Sequence, residues 1–146
     1  MYNKGTSMSL LFLIRTQFKF YTNAETFTNI LKEIADRDIN ITGVVVKQKK
    51  SCVNVTLVVG LADSLQYDIE WNSTLRKILK SNNVKYHRKE VVQVAVGPSG
   101  VSGVFYKIYS SLEGKVQINM IYLGENTRNF IDSDDNAKVI EILSKL

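Results

Sequence analysis

Few side chains in this sequence are placed for covalent or metal chemistry. The single histidine, His87, lies in the basic run Lys85-Tyr86-His87-Arg88-Lys89, and no serine or cysteine is placed to make it a general base. The single cysteine, Cys52, opens an apolar, β-branched run and is expected as an unreactive core residue. Asp132, Asp134 and Asp135 stand close together but lack the EF-hand spacing. They precede a helical pattern and are expected to cap it, facing the positive end of its dipole. No catalytic residue, metal ligand or cofactor motif is expected. What remains is main-chain chemistry at Gly97, Gly100 and Gly103, spaced G-x-x-G-x-x-G. Glycine relaxes the limits on φ and lets a ligand or another backbone approach closely. The spacing is not the G-x-G-x-x-G of dinucleotide-binding folds, and the Gly-Lys-Ser/Thr ending of a P-loop is missing.

The elements around these glycines give the turn its direction. Residues 91–96 carry four β-branched valines with Ala95 and a single polar residue, Gln93, which reads as a buried strand. Val101, Val104, Phe105, Ile108 and Leu112 recur at helical spacing, which predicts a helix over 101–112. A helix beginning there aims unpaired amides and partial positive charge at the turn, a setting that suits a carboxylate or phosphate. Gly97, Pro98, Ser99, Gly100, Val101, Ser102 and Gly103 are therefore candidate ligand contacts. The same glycines would equally serve a tight turn that holds no ligand.

Upstream, residues 9–20 read as a strand and Thr22 to Glu25 as a capping box for a helix faced by Phe27, Ile30, Leu31 and Ile34. Residues 39–47 and 53–59 read as antiparallel strands joined by the polar loop Gln48-Lys49-Lys50-Ser51. Asn72 or Ser73 is expected to cap a second helix through Ser81, buried by Leu75, Ile78 and Leu79. After the glycine turn and its helix come strands at 116–123 and 127–132. A last helix follows, lined by Val139, Ile140, Ile142, Leu143 and Leu146, and no strand comes after it. The order strand, helix, strand, strand, helix, strand thus begins twice, an internal duplication. Asp38-Ile39-Asn40-Ile41-Thr42 is echoed by Gln117-Ile118-Asn119-Met120-Ile121 in the matching slot.

Composition sets outer bounds. A chain of 146 residues, 45% hydrophobic and 23% charged, suits one compact domain or two small ones. Nineteen basic against fourteen acidic residues give a net charge of +5, spread along the chain and favouring solubility. One cysteine allows no internal disulfide and fits a reducing compartment. The apolar run at 10–14 is too short for a membrane span and precedes no cleavage site, so a cytoplasmic protein is expected. The basic runs at 47–50 and 85–89 read as a solvated hairpin tip and strand edge. No aromatic, base-stacking strand accompanies them, so no nucleic-acid partner is expected.

These residues resemble the ACT domain, the small-molecule-binding module of amino-acid metabolism, and in the second half the regulatory ACT domains of aspartokinases. The resemblance rests on Val96-Gly97, Ser102-Gly103 and Ile118-Asn119-Met120-Ile121. The closing run Asn129-Phe130-Ile131-Asp132-Ser133-Asp134-Asp135-Asn136-Ala137 and Val139-Ile140-Glu141-Ile142-Leu143 adds to it. Ser102 stands where the family has proline, and Ala24-Glu25 stands where it has Pro-Gly in the first repeat. The resemblance implies an α+β fold of two ferredoxin-like βαββαβ repeats with antiparallel sheets and helices on one face, the second lacking its last strand. It implies a flexible tail over 1–8, one repeat over 9–90 and another over 91–146. It also implies a non-catalytic regulator that senses a free amino acid at an ACT–ACT interface. Asn119 and Met120, with Asn40 and Ile41, would join the turn in binding. Either a homodimer or an intrachain pair is implied, with a separate enzyme as the regulated partner. The alternatives are a regulatory subunit or fragment related to aspartokinase and an RNA-binding ferredoxin-like domain.

Overall fold

A computed structural model describes residues 8–97 and 100–146. The elements are β1 (Leu11–Asn23), α1 (Ala24–Asp36), β2 (Ile41–Lys49), β3 (Cys52–Val59), α2 (Asp68–Ser81), β4 (Tyr86–Val96), α3 (Val104–Leu112), β5 (Ile118–Leu123), β6 (Asn129–Ser133) and α4 (Asn136–Leu143). The chain is α+β, with six strands and four helices that fit two ferredoxin-like units. It forms two compact units: one holds residues 15–89, the other residues 8–14 and 90–146 among those described.

In the first unit the strands run in the order β2-β3-β1, with β3 antiparallel to both neighbours. Alternation along β3 puts Val53, Val55, Leu57 and Val59 on one face. Phe27, Ile30 and Ile34 of α1 and Leu75, Ile78 and Leu79 of α2 bury against that face with Phe18 and Phe20. Both helices therefore cover the same side of the sheet. Each buried aliphatic or aromatic side chain contributes roughly 1.5–3 kcal/mol, and this burial holds the unit together. The cap of α1 differs from the expected one. Asn23 stands at the N-cap and its side chain accepts from the Thr26 amide at 2.7 Å, because β1 runs three residues past Phe20.

The second unit repeats the plan, with strands in the order β4-β6-β5. Val92, Val94 and Ile131 bury against Ile108 and Leu112 of α3 and Val139 and Leu143 of α4. No described strand follows α4. Residues 11–14 at the start of β1 belong to this unit, and Leu10 and Phe12 pack against its core. The Met8 amide donates to the Leu146 carbonyl at 3.2 Å. Of the expected tail, residues 1–7 lie outside the described residues.

Two readings of single residues need correction. Cys52 is exposed rather than buried, because it is the first residue of β3 and points away from the face that Val53 shares with the helices. It lies in an open groove of about 240 Å³ with Tyr21, Lys47, Lys49 and Asn54. Helix α2 begins at Asp68, four residues before the expected cap, and the rings of Tyr67 and Trp71 stack at 4.8 Å across its first turn.

Candidate functional site

Strand β4 delivers the chain to the glycine turn and α3 carries it away. Gly97 is half-buried, and a Cβ added there would come within 2.6 Å of Leu10 Cδ2. Glycine is therefore needed for the approach of another segment. Gly100 and Gly103 hold positive φ values of 70° and 88°, yet a Cβ at either would meet nothing within 4 Å. These two are glycines for backbone reasons, and the space beside them is open. Pro98 and Ser99 lie outside the described residues. Val101 is half-buried and Ser102 exposed.

The helix starts at Val104, not Val101, because Gly103 in the left-handed region cannot sit inside a right-handed helix. Gly103 is the N-cap and has no side chain to satisfy the first-turn amides. Of the expected apolar face, Ile108 and Leu112 are buried. Phe105 is 47% exposed and stacks on Tyr109 with centroids 6.3 Å apart.

One side chain at the turn was missed by the sequence reading. Arg128, half-buried just before β6, donates from Nη1 to the Gly97 carbonyl at 3.1 Å. Its guanidinium brings a fixed positive charge to the mouth of the turn. A side chain thirty-one positions from Gly97 carries no local signal of this role. Only the β4–β6 ladder, with Val92 opposite Ile131 and Gln93 opposite Phe130, brings it there.

The same ladder separates the other candidates. Strand β5 is antiparallel to β6 and pairs Ile118 with Ser133, Met120 with Asp132 and Leu123 with Asn129. Leu123 therefore lies at the turn end of the sheet. Asn119 lies four residues back, about 13 Å along the strand at ~3.3 Å per residue. Asn119 is exposed, and its Nδ2 donates to Asp134 Oδ1 at 2.8 Å and Asp132 Oδ1 at 3.5 Å. Met120 is half-buried beside it. Asn40 and Ile41 are in the unit formed by residues 15–89. Asn40 Nδ2 donates to the Gly60 carbonyl at 2.9 Å, and the Gly60 amide donates to the Asn40 carbonyl, also at 2.9 Å. The structure thus gathers Gly97, Gly100, Val101, Ser102, Gly103 and Arg128 at one turn; within the same unit Asn119 lies away from it along β5, and Asn40 belongs to the other unit.

Beside Gly60 is a buried ion pair. Arg15, with no exposed surface, donates from Nη1 to Asp68 Oδ1 at 2.7 Å and from Nη2 to the Leu61 carbonyl. Burial lifts the Asp68 carboxyl above its usual value, and Arg15 partly offsets that rise. His87 is exposed, on β4. Of the acidic run, Asp135 caps α4 by accepting from the Lys138 amide at 3.0 Å. Burial, and after it the charge of the buried Asp132, raises the pKa of the Tyr122 phenol so that it stays protonated. Among the described residues no group of three or more His, Cys, Asp or Glu side chains could hold a metal, and no helix is long and apolar enough to cross a membrane.

No protein-family model matches the sequence, and no curated protein matches it at a significant level. Solved structures do match. Protein BT0572 from Bacteroides thetaiotaomicron is similar at 18% identity over 92% of this chain and 89% of that one, with a TM-score of 0.69. The ligand-free regulatory subunit of aspartate kinase from Thermus thermophilus is similar at 12% identity, over 96% and 98%, with a TM-score of 0.62. A structure of aspartokinase alpha and beta subunits is similar at 16% identity, over 96% and 95%, with a TM-score of 0.58. At these identities the likeness shows a shared fold. The chain has the tandem ACT-type fold of aspartokinase regulatory regions along nearly its whole length.

Proposed function

We propose that this chain is a non-catalytic, cytoplasmic regulatory module that binds a free amino acid at the turn between β4 and α3. The observation that carries the reading is the turn itself. Gly100 and Gly103 leave open space beside a left-handed backbone, the first amides of α3 face it without a capping side chain, and the Arg128 guanidinium stands at Gly97. A carboxylate in that space would accept from backbone amides and lie near a fixed cation, both favourable for an anion. The fold shared with an aspartate kinase regulatory subunit supports a regulatory role and a separate enzyme as partner. Pro98 and Ser99 are proposed as contacts from the sequence alone. Asn119 and Met120, with Asn40 and Ile41, enter as contacts offered by a second copy of the chain in a homodimer, since Asn119 lies too far along β5 to reach the turn of its own unit. The ligand regulates by binding one arrangement of the assembly more tightly than another, and can shift the balance only by that difference.

Calorimetric titration of the full chain with a panel of amino acids tests the reading. At least one should bind, and Arg128→Ala should weaken it by roughly 10- to 100-fold, the weight of one charge-assisted hydrogen bond. Absence of heat with every member of the panel overturns the proposal.

A further inference from the structure

Behind the turn lies a polar atom that the fold leaves without a partner. Asn129, the first residue of β6, is 5% exposed, and nothing among the described residues hydrogen-bonds its Oδ1. Its direction follows from strand alternation. Ile131, two positions on, faces the core beneath α3 and α4, so Asn129 faces the same way. Its height follows from the ladders. With Val92 opposite Ile131 and Gln93 opposite Phe130, Asn129 falls opposite Val94, near the end of β4, and Leu123 flanks it on the other side. Val104, the first residue of α3, packs against the same core as Val94 and Ile121. Asn129 therefore lies on the core face at the turn end of the sheet, the end from which α3 sets out.

Buried polar side-chain atoms almost always have a partner, and this oxygen calls for a donor. The carboxylate assigned to the turn cannot be that donor. An amino acid brings both groups: its carboxylate meets the α3 amides and Arg128, and its ammonium, carried on the α-carbon, lies two bonds from the carboxylate carbon. We infer that Asn129 Oδ1 accepts a hydrogen bond from the ammonium of the bound amino acid, so that the site selects zwitterions over other carboxylates. The inference rests on the amino-acid reading above and adds the residue that reads the amine. A site built around a buried acceptor rejects ligands that lack the matching N–H, because they leave the acceptor unpaired.

The test titrates the full chain with its best-binding amino acid and with the 2-oxo acid of the same side chain. The 2-oxo acid is expected to bind roughly 10- to 100-fold more weakly. Asn129→Leu, similar in size and without the acceptor, should bind both with affinities within about threefold of each other. Its unliganded Tm should hold or rise by a few degrees, because the change removes a buried acceptor rather than a contact. Equal binding of the two ligands by the wild-type chain overturns the inference, and that comparison does not depend on the variant folding. Discrimination that survives in Asn129→Leu overturns it as well. If no amino acid binds at all, the reading of the site as an amino-acid sensor falls together with this one; binding without discrimination removes this one alone.

Discussion

Gly60→Ala should be among the most damaging single-methyl additions in the chain. Gly60 directly follows β3 with φ at +147°, a backbone that L side chains rarely adopt. An added Cβ would lie well inside contact distance of Arg15 Nη1 and 2.7 Å from Asp68 Oδ1. Both atoms end flexible side chains, and on a surface they would swing aside. Here they cannot. Arg15 has no exposed surface, and its guanidinium is held by Asp68 and the Leu61 carbonyl. The backbone term alone is about 1–3 kcal/mol. Breaking a buried ion pair costs about 3–5 kcal/mol when a charge is left without its partner, and displacement by a methyl group would forfeit part of that. The sum is about 3–5 kcal/mol, a large share of the ~5–15 kcal/mol that holds a typical domain together. Urea unfolding followed by circular dichroism measures it. The same substitution placed in an Arg15→Met, Asp68→Leu background should cost only the backbone term, giving a coupling of about 2 kcal/mol in the cycle. A Gly60→Ala cost below about 1 kcal/mol, or no coupling, would refute the argument that a locked ion pair makes this glycine necessary.

Other expectations follow from single positions. Gly103→Ala should cost about 1 kcal/mol of stability, because only the left-handed backbone resists it, and Gly103→Asn less, since asparagine tolerates that conformation. Both should lower amino-acid affinity by occupying the open space; a stability loss above about 3 kcal/mol would mean that the space is not open. Asp68 gives a pH signature. Its folded-state pKa stands above the ordinary 3.8, so its contribution to stability is complete below the unfolded value and is lost as pH rises through the folded one. Measured against Asp68→Asn, the wild-type chain should therefore be relatively most stable in acid and lose that margin towards neutral pH. A margin that grows with pH would contradict the dominance of burial over the Arg15 charge.

The fold was legible where the signal was periodic. Alternation along β3, helical spacing at Phe27, Ile30 and Ile34 and again at Ile108 and Leu112, and the matching order of elements in both halves carry the duplicated α+β plan. Element ends were harder, because they depend on which polar side chain wins a local competition. Thr22 and Asn23 are both good caps, and the choice falls to Asn23 because β1 continues to that residue. The supply of residues 11–14 to the second unit could not be read at all. It joins segments some eighty positions apart, and an apolar run does not say which core it enters.

The site divides along the same line. Its backbone half, Gly97, Gly100 and Gly103, announces itself because glycine spacing is a local property. The side chains proposed for it, Arg128 and Asn129, arrive through the β4–β6 ladder and look ordinary in sequence. The two Ile-Asn echoes make the converse point. Asn40 stands just before β2 and donates to Gly60, the residue after β3. Asn119 stands at the start of β5 and donates to Asp134, the residue after β6. In each unit an asparagine amide ties the opening of the second strand to the exit of the third. The repeated dipeptide thus has a structural cause that holds without any ligand. A ligand that recruits either asparagine must compete with this tie, so its net gain from that contact is the small difference between two hydrogen bonds rather than a whole one. Arg128 and the buried oxygen of Asn129 are accordingly the side chains at which ligand affinity should be most sensitive.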